Sequence, residues 1–356
     1  MPTAVLEAVR DRVFSRLAPD AAPTIIWHAG EPTVAPISWY ERAYALLKPV
    51  TPSAATFAIQ SNGVAISDGL IEFLRRSNTR IGLSIDGPER FHDARRKTRA
   101  GGPTWALIMR NLKRLQSAGL DPNVISVLHP SALPAAEEYY GFYRDNEITQ
   151  VSFSIDEAEG ANATSSFDGL DYKPRVVAFL RGLLDLAFAE GYPLHIREIE
   201  RIAHALTSGE HADNEQVQPW QIMVVAANGD VTSFSPEFME LKSPAHDNFC
   251  FGNILQNDFD ELLANAAFLR TQEEVAKGVE KCRTTCKYFG VCGGGAPCNK
   301  IFENGSLESA ETLFCRLSVQ ASADALVGFL SERARAPNAE IPVGATAHNA
   351  DAIAEI

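Results

Sequence analysis

Short apolar runs alternate with longer segments of helical periodicity from about residue 20 to residue 200. The runs are rich in β-branched and aromatic residues, as buried strands are. They cover residues 24–27, 57–60, 81–85, 124–128, 151–155 and 194–196. The segments 38–48, 67–77, 103–119 and 173–191 carry the helical spacing between them. This alternation predicts an α/β fold with a parallel sheet or barrel.

Polar or glycine residues follow every apolar run, at the point where the predicted strand ends. In parallel barrels the loops after the strand carboxyl ends build the active site. Taken singly, most of these residues are better explained as helix caps or turns. Their repetition favours a common mouth, lined by His28, Glu31, Ser61, Asn62, Asp86, Asp156, Glu157, Arg197 and Glu198.

The pattern changes after residue 215. Residues 222–236 predict a β-hairpin turned at Asn228 and Gly229. Helices are expected from about residue 259 and over 317–334, and residues 337–356 are expected to be a flexible tail. We therefore predict a first domain over 1–210 and a second over 215–336.

Composition and charge narrow the function classes. Apolar residues make up 46% of the 356-residue chain, and the net charge is −13. The absence of a basic stripe argues against a nucleic-acid partner, and no run approaches the ~20 apolar residues of a membrane span. The first residues have helical periodicity with interspersed charges, unlike a signal peptide, so we expect a cytoplasmic protein. The acidic surface either steers a basic peptide or simply maintains solubility.

Five of the six cysteines lie between Cys282 and Cys315, and none precedes Cys250. Three residues separate Cys282 from Cys286, and five separate Cys286 from Cys292. Such spacing in a reducing compartment favours a metal centre over disulfides or free thiols. Spacing alone does not separate a zinc site from an iron–sulfur cluster, although zinc sites more often use pairs two residues apart. Cys250 is expected to be a small core residue.

Several motifs resemble those of radical SAM enzymes. "WHAGEPT" (27–33) resembles their Gly-Gly-Glu-Pro loop, which holds the methionyl amine of S-adenosylmethionine. "QSNG" (60–63) is similar to their Gln-Thr-Asn-Gly segment, and residues 82–104 are similar to the fourth-strand signature. The resemblance implies a partial (β/α) barrel that lacks its first strand. It implies cofactor contacts at Ala29, Gly30, Glu31, Pro32, Ser61, Asn62, Ser84 and Arg95 or Arg96.

The second predicted domain resembles a SPASM extension, the auxiliary-cluster domain of peptide-modifying radical SAM enzymes. "FSPE", "CGGGAP", "NKIFENGS" and "ETLFCRL" are most similar to the GrrM/OscB-type cyclophane-forming peptide maturases. Such enzymes join an aromatic ring carbon to a nearby β-carbon in a ribosomally made precursor peptide. The resemblance, which covers nearly all of residues 1–336, implies a precursor-peptide partner and an external electron donor.

The same resemblance assigns the ligands of one auxiliary 4Fe-4S cluster to Cys282, Cys286, Cys292 and Cys315. Cys298 is left over, because a second cluster would need further cysteines around residues 219–238. That stretch holds Phe234 and Phe238 instead. We therefore expect a single auxiliary cluster.

One part of the family pattern is missing. The three-cysteine loop of the first strand, which binds the SAM-cleaving cluster, has no counterpart before Cys250. We expect an incomplete form of an active enzyme, through truncation or a misassigned start, rather than a degenerate peptide-binding paralogue. The chain as it stands should bind one cluster and cleave no S-adenosylmethionine.

Three carboxylates near the mouth, Asp156, Glu157 and Glu198, are candidates for proton removal or substrate positioning. Each is as well explained by a structural hydrogen-bonding role. A sulfatase-maturase-like enzyme, which oxidises Ser or Cys to formylglycine, is the rival within enzymes. A non-catalytic peptide-binding protein and a zinc-stabilised structural protein are the rivals outside them.

Overall fold

A computed structural model describes residues 1–158, 162, 164–209 and 212–335. The predicted tail at 337–356 lies outside the described residues. The strands are β1 (Thr24–Trp27), β2 (Thr56–Ser61), β3 (Thr79–Ser84), β4 (Asn123–Leu128), β5 (Gln150–Ile155), β6 (His195–Ile196), β7 (Met223–Val225) and β8 (Val231–Ser233). The first six form one sheet in the order β1 to β6, with all neighbours parallel.

The α-helices of the first part are α1 (Thr3–Arg12), α2 (Ile37–Leu47), α3 (Asp68–Ser77), α4 (Glu89–Arg95), α5 (Trp105–Ser117), α6 (Ala136–Asp145), α7 (Lys173–Glu190) and α8 (Arg197–Ser208). Those of the second part are α9 (Phe259–Leu263), α10 (Ala266–Thr285), α11 (Phe289–Cys292), α12 (Pro297–Asn304), α13 (Leu313–Cys315) and α14 (Ala321–Arg335). The predicted strands, hairpin and α/β fold class are confirmed. The predicted division at 210 and 215 stays a prediction.

Local signals explain several boundaries. The Ser67 side chain accepts a hydrogen bond from the Leu70 N–H and so begins α3. Asn78 ends the same helix in the left-handed region. Asp258 and Glu261 form a capping box at the start of α9. These residues satisfy backbone groups that a helix end leaves without a partner.

The helix predicted over 317–334 differs in its start. It begins at α13, passes through a π-helical turn over Arg316–Gln320, and continues as α14. One extra residue in a turn rotates the helix locally, which periodicity in the sequence does not reveal. The single helix expected from residue 259 is divided into α9 and α10 by Asn265, whose side chain caps α10.

The first and the last helix of the described chain each pack against the other part of the molecule: α1 against the second part and α14 against the first. In α1, Val5 packs with Val231, Ile254 and Leu262 in a core of the second part. At the other end, α14 packs against α7 and α8 of the first part. The large core on the sheet therefore includes Leu317 and Leu326 as well as residues of the strands.

One described helix, Leu313–Arg335, is long and apolar enough to cross a membrane by length and composition. The sequence analysis found no such stretch. In the structure 44% of its apolar window is buried, and its second half packs on α7 and α8. A helix in a protein core passes the same test of length and composition and packs in this way. The cytoplasmic location stays a prediction.

Gly87 offers a test of the packing behind β3. Its φ is +87°, and a Cβ there would lie 2.3 Å from the Tyr139 ring. We expect Gly87→Ala to lower the free energy of unfolding by more than about 2 kcal/mol in urea titrations. Gly119→Ala is the control, because Gly119 has a similar φ but no neighbour within 4 Å. It should cost about 1 kcal/mol, and equal costs would contradict the steric account.

Candidate functional site

The first functional feature is the loop after β1. Ala29 and Gly30 both have a positive φ, at 66° and 62°. A Cβ on Gly30 would meet nothing within 4 Å, so open space lies in front of this backbone. Such a conformation is costly for Ala29, which glycine would adopt freely. Ala29 thus has the backbone conformation that favours glycine, at the position where the motif it resembles has its first glycine.

Glu31 fastens this loop to the next strand. Its carboxylate accepts hydrogen bonds from the Ser61 hydroxyl at 2.8 Å, the Asn62 N–H at 2.8 Å and the Thr33 N–H at 3.0 Å. These donors satisfy both carboxylate oxygens. Glu31 therefore acts as an anchor of the loop. Three of the predicted cofactor-binding residues, Glu31, Ser61 and Asn62, are in direct contact.

The contacts continue across the carboxyl ends of the strands, which we call the carboxyl edge (residues 28–31, 60–62, 84–86, 127–129 and 156–157). Gln60 Nε2 donates to Ser84 Oγ at 3.3 Å. Further along, Asp86 accepts from the Val127 N–H at 2.9 Å. Glu31 and Asp86 thus each form a hydrogen bond with a neighbouring strand, as a common mouth requires, and the mouth as a cofactor site stays a prediction.

The two candidate arginines, Arg95 and Arg96, have different partners. Arg96 Nε donates to Asp86 Oδ2 at 2.7 Å, and the Asp86 side chain is only 4% exposed. Arg95 Nη2 pairs with Asp156 Oδ1 at 2.5 Å. Arg95, Asp86 and His129 also line a cavity of about 270 Å³ at this edge. Arg95 is therefore the arginine that borders open space.

The three candidate catalytic carboxylates lie in different surroundings. Burial acts to raise the pKa of Asp156, but hydrogen bonds from Ser166 and the charge of Arg95 outweigh it, so the pKa is lowered. Glu157 accepts a hydrogen bond from Asn299 of α12. Asp156 and Glu157 thus stand side by side at the end of β5, one facing Arg95 and the other facing the second part.

Glu198 is placed elsewhere. It accepts from the Ser152 hydroxyl at 2.8 Å and from the Phe153 N–H at 3.0 Å, both in the middle of β5. Because β6 pairs only with Gln150 and Val151, Glu198 covers the next exposed donor of the β5 edge. These contacts bring it together with neither Asp156 nor Glu157. They support a structural role, and its catalytic assignment stays a prediction.

The cysteine site is built by three helix ends. Cys282 lies in the last turn of α10 and Cys286 caps that helix; Cys292 ends α11. Cys315 ends α13, where the Thr312 N–H donates to its Sγ at 3.4 Å. Gly294 and Gly295 donate backbone hydrogen bonds to Cys292. All three glycines after Cys292 have positive φ, as a backbone turning toward the sulfur requires.

The thiols influence one another electrostatically, which shows that they share one region. Cys282 and Cys286 act on Cys292, and Cys292 acts on Cys315. Burial raises the pKa of Cys292, and raises that of Cys315 to about 11. A cluster would reverse this preference, because a bound metal stabilises the thiolate.

A residue that the sequence analysis missed completes this site. Lys300 is only 2% exposed, and its ammonium interacts with Cys282. Burial lowers its pKa, and Cys282, Cys292 and Cys315 oppose that effect. Within the part of the chain that the structure describes, no carboxylate pairs with Lys300. A buried ammonium needs a counter-charge, and a cluster held by four thiolates fits that need.

A zinc site and an iron–sulfur cluster differ in how close together they require the cysteine sulfurs to be. In the described ranges no three His, Cys, Asp or Glu side chains stand close enough to hold one ion. Zinc would draw four sulfurs to about 2.3 Å from a single centre. A four-iron cluster is wider, so its ligands stand farther apart. The choice of an iron–sulfur cluster over zinc at these cysteines stays a prediction.

Cys298 and Cys250 lie outside this set. Cys298 is 3% exposed and packs with Phe234, Phe238 and other apolar residues. The Ser235 hydroxyl is 3.4 Å from its sulfur. Cys250 is half-buried, with its thiol 3.4 Å from the Gly252 carbonyl. This placement agrees with the expectation of one auxiliary cluster, which stays a prediction.

A six-stranded parallel sheet with its loops at the carboxyl edge, followed by a cysteine site, defines an α/β protein built for cofactor chemistry. The Radical SAM superfamily profile matches residues 5–132. The protein sll1766 of Synechocystis sp. is 32% identical over 339 residues, which is 93% of this chain and 85% of that protein. The chain belongs to the radical SAM superfamily, whose cofactors are S-adenosylmethionine and 4Fe-4S clusters.

More distant relatives include enzymes of known activity. The cysteine-type anaerobic sulfatase-maturating enzyme of Clostridium perfringens (strain 13) is 24% identical over 85% of this chain and 81% of its own length. Among solved structures, anSMEcpe with bound AdoMet is similar with a TM-score of 0.73 and 21% identity, over 94% of this chain and 89% of that one. Streptococcus suis SuiB bound to its precursor peptide SuiA gives 0.58 and 16%, over 82% and 64%. At these identities the structures show a shared fold.

The cysteine assignment generates a direct test. The polypeptide of residues 1–356, reconstituted anaerobically with iron and sulfide, should hold about four irons and show iron–sulfur absorption. Cys282→Ala, Cys286→Ala, Cys292→Ala and Cys315→Ala should each lose most of that iron, because each removes one ligand. Cys298→Ala is the matched control and should keep it. Zinc in place of iron, or iron loss in the control, would contradict the assignment.

The Arg95–Asp156 pair generates a pH prediction. Because the folded-state pKa of Asp156 is lowered, its contribution is present above the ordinary value of 3.8 and is lost as pH falls through the folded-state value. We expect Asp156→Asn to cost about 2 kcal/mol at neutral pH. The difference from the parent should shrink in unfolding titrations below about pH 4. The exposed Asp20→Asn is the control, and a pH-independent difference at Asp156 would contradict the account.

Proposed function

We propose that this chain is a radical SAM enzyme that modifies a ribosomally made precursor peptide and forms a cyclophane carbon–carbon cross-link. One observation carries the proposal. The hydrogen bond between Glu157 and Asn299 places the carboxyl edge next to the helix that lies against the cysteine site. A peptide at the mouth would thus lie between the cofactor loop and the auxiliary centre. SuiB bound to SuiA, and anSMEcpe bound to Cp18Cys peptide, support a peptide substrate in this fold.

The residues divide between the two proposed cofactors. Ala29, Gly30 and Pro32, held by Glu31, would carry the methionyl end of S-adenosylmethionine, with Ser84 and Arg95 at the adjoining strand. Bound S-adenosylmethionine supplies a means of removing a hydrogen atom from the peptide. The auxiliary 4Fe-4S cluster would be held by the four cysteines named above. An external electron donor completes the set of partners.

A cross-link of this kind removes two hydrogens from the peptide, one from each carbon that is joined. One would leave the β-carbon as a hydrogen atom, by the means that bound S-adenosylmethionine supplies. The other would leave the ring as a proton, taken by a carboxylate of the site, and an electron, for which the auxiliary cluster would be the acceptor. Of the two neighbouring carboxylates at the end of β5, we propose Glu157 as the proton acceptor. Asp156 has a lowered pKa and pairs with Arg95, which makes it a weak base and favours a positioning role.

The polypeptide of residues 1–356 has no cysteine before Cys250. We propose that this polypeptide alone holds the auxiliary cluster and does not cleave S-adenosylmethionine. The mouth contacts described above favour an enzyme over a non-catalytic peptide-binding paralogue, because Glu31 binds Ser61 and Ser84 binds Gln60 at the edge where the cofactor is proposed to lie.

A sulfatase-maturase-like activity is the second candidate. The alignment with the Clostridium perfringens enzyme over 85% of this chain favours it. The surroundings of Cys298 count against a second auxiliary cluster, because Phe234 and Phe238 occupy that region. This difference makes the cyclophane proposal the stronger of the two.

Mass spectrometry of the peptide separates these functions. We expect a version that carries an upstream three-cysteine loop, co-expressed with a precursor encoded beside its gene, to give a peptide that has lost two hydrogens. The fragment ions should be absent between the two joined residues. The same version with Cys292→Ala is the control and should leave the precursor unchanged.

Other outcomes have a definite meaning. An unchanged precursor in the parent version would contradict the cross-linking proposal. Conversion of Ser or Cys to formylglycine in a sulfatase peptide would support the second candidate. Detectable 5′-deoxyadenosine from residues 1–356 alone would overturn the proposed division of cofactors.

A further inference from the structure

Lys300 lies on α12. Along the chain this helix stands between α11, which ends at Cys292, and α13, which ends at Cys315. Its side chain is 2% exposed, and its charge interacts with Cys282. Cys292 and Cys315 also act on its charge. The lysine therefore approaches the site from inside the protein, where its charge is not screened by water.

Two glycines provide the space that the lysine side chain occupies. A Cβ on Gly278 would lie 3.0 Å from Lys300 Nζ, and also 2.1 Å from the Leu307 carbonyl oxygen. A Cβ on Gly295 would lie 3.6 Å from Lys300 Cε. Gly278 is one helical turn before Cys282, and Gly295 is three residues after Cys292. The lysine thus lies between the two backbone segments that present these cysteines.

In the part of the chain that the structure describes, the Lys300 ammonium is not paired with a carboxylate. Among the described residues no Asp or Glu forms an ion pair with Lys300, whereas Lys173 pairs with Asp324 and Lys277 with Glu273. A buried ammonium without a counter-ion is strongly destabilising. The thiolates of an occupied site would supply the negative charge that is missing, and the ammonium would in turn stabilise additional negative charge there.

We propose that Lys300 is a positioning residue that raises the reduction potential of the auxiliary cluster. It does so as a buried positive charge between the backbone segments that carry Cys282 and Cys292. Reduction adds one electron, and hence one negative charge, to the cluster. Hydrogen bonds to sulfur and nearby charge are among the factors that set iron–sulfur potentials. This inference rests on the proposed auxiliary cluster.

The test is a redox titration of the reconstituted polypeptide of residues 1–356, followed by electron paramagnetic resonance. Lys300→Met removes the charge and the donor with little change in length. We expect the ratio of reduced to oxidised cluster at a fixed potential to fall by about tenfold, which is a downward shift of about 59 mV for a one-electron couple. Lys300→Gln should fall between the parent and Lys300→Met, and Lys300→Arg should stay near the parent.

Lys281→Met is the matched control. Lys281 adjoins Cys282 in the chain but is exposed, so its charge is screened and its loss should shift the potential little. If Lys300→Met shifts no more than this control, the proposal is wrong. If Met and Gln at position 300 prevent cluster assembly while Arg permits it, the requirement for the charge is supported.

Two further outcomes separate the inference from the function on which it rests. If all three substitutions at position 300 lose iron while Lys281→Met keeps it, the lysine serves packing alone and the proposal is overturned. If the parent polypeptide itself binds no iron–sulfur cluster, the proposed auxiliary site fails first. Iron content and the visible spectrum, measured before each titration, distinguish these cases.

Discussion

The arrangement of the molecule depends on the buried first turn of α12. Three successive residues of this turn contact three different parts of the protein. Cys298 packs into the phenylalanine core, Asn299 donates to Glu157 at the carboxyl edge, and Lys300 interacts with Cys282. Each of the three is 3% exposed or less. Successive residues of a helix point about 100° apart, so one turn can serve three neighbours.

Electrostatics explains why this turn tolerates such polar residues. Unpaired buried polar groups are costly, and the cost falls when each donor finds an acceptor. Asn299 has a carboxylate as its acceptor, and the Ser235 hydroxyl lies within hydrogen-bonding distance of Cys298. Among the described residues Lys300 forms no ion pair with a carboxylate, and the cysteine site acts on its charge. Negative charge at that site would therefore balance the polar core of the second part.

Much of the first part could be predicted from the sequence, because parallel strands have short apolar runs with polar residues directly after them. The six runs and their mouth residues follow from that pattern, and Glu31, Ser61 and Asn62 do meet. The position of Glu198 could not be predicted. It depends on β6 being only two residues long, which leaves the Phe153 N–H for a side chain to cover. Strand length at an edge is set by tertiary packing and not by local propensity.

In the second part the cysteines were visible in the sequence, whereas Lys300 and Asn299 were not. A lysine beside an asparagine normally indicates an exposed helix surface. The sequence contained one indication of their burial, the short helix that begins at Pro297. If Cys298 faces a core in the first turn of this helix, the residues that follow it in the same turn are also buried. That inference needs the helix ends, which depend on Pro297 and on Gly305 in the left-handed region.

The same turn gives a physical reason for coupling between the two proposed centres. Glu157 belongs to the edge where Asp156 pairs with Arg95, and its partner Asn299 is adjacent in the chain to Lys300. A shift of α12 toward or away from the sheet would therefore change both contacts together. Since α12 is buried on this side, such a shift has to be concerted with the packing of Phe234 and Phe238. The carboxyl edge and the cysteine site thus share one rigid element, and the geometry of either constrains the other.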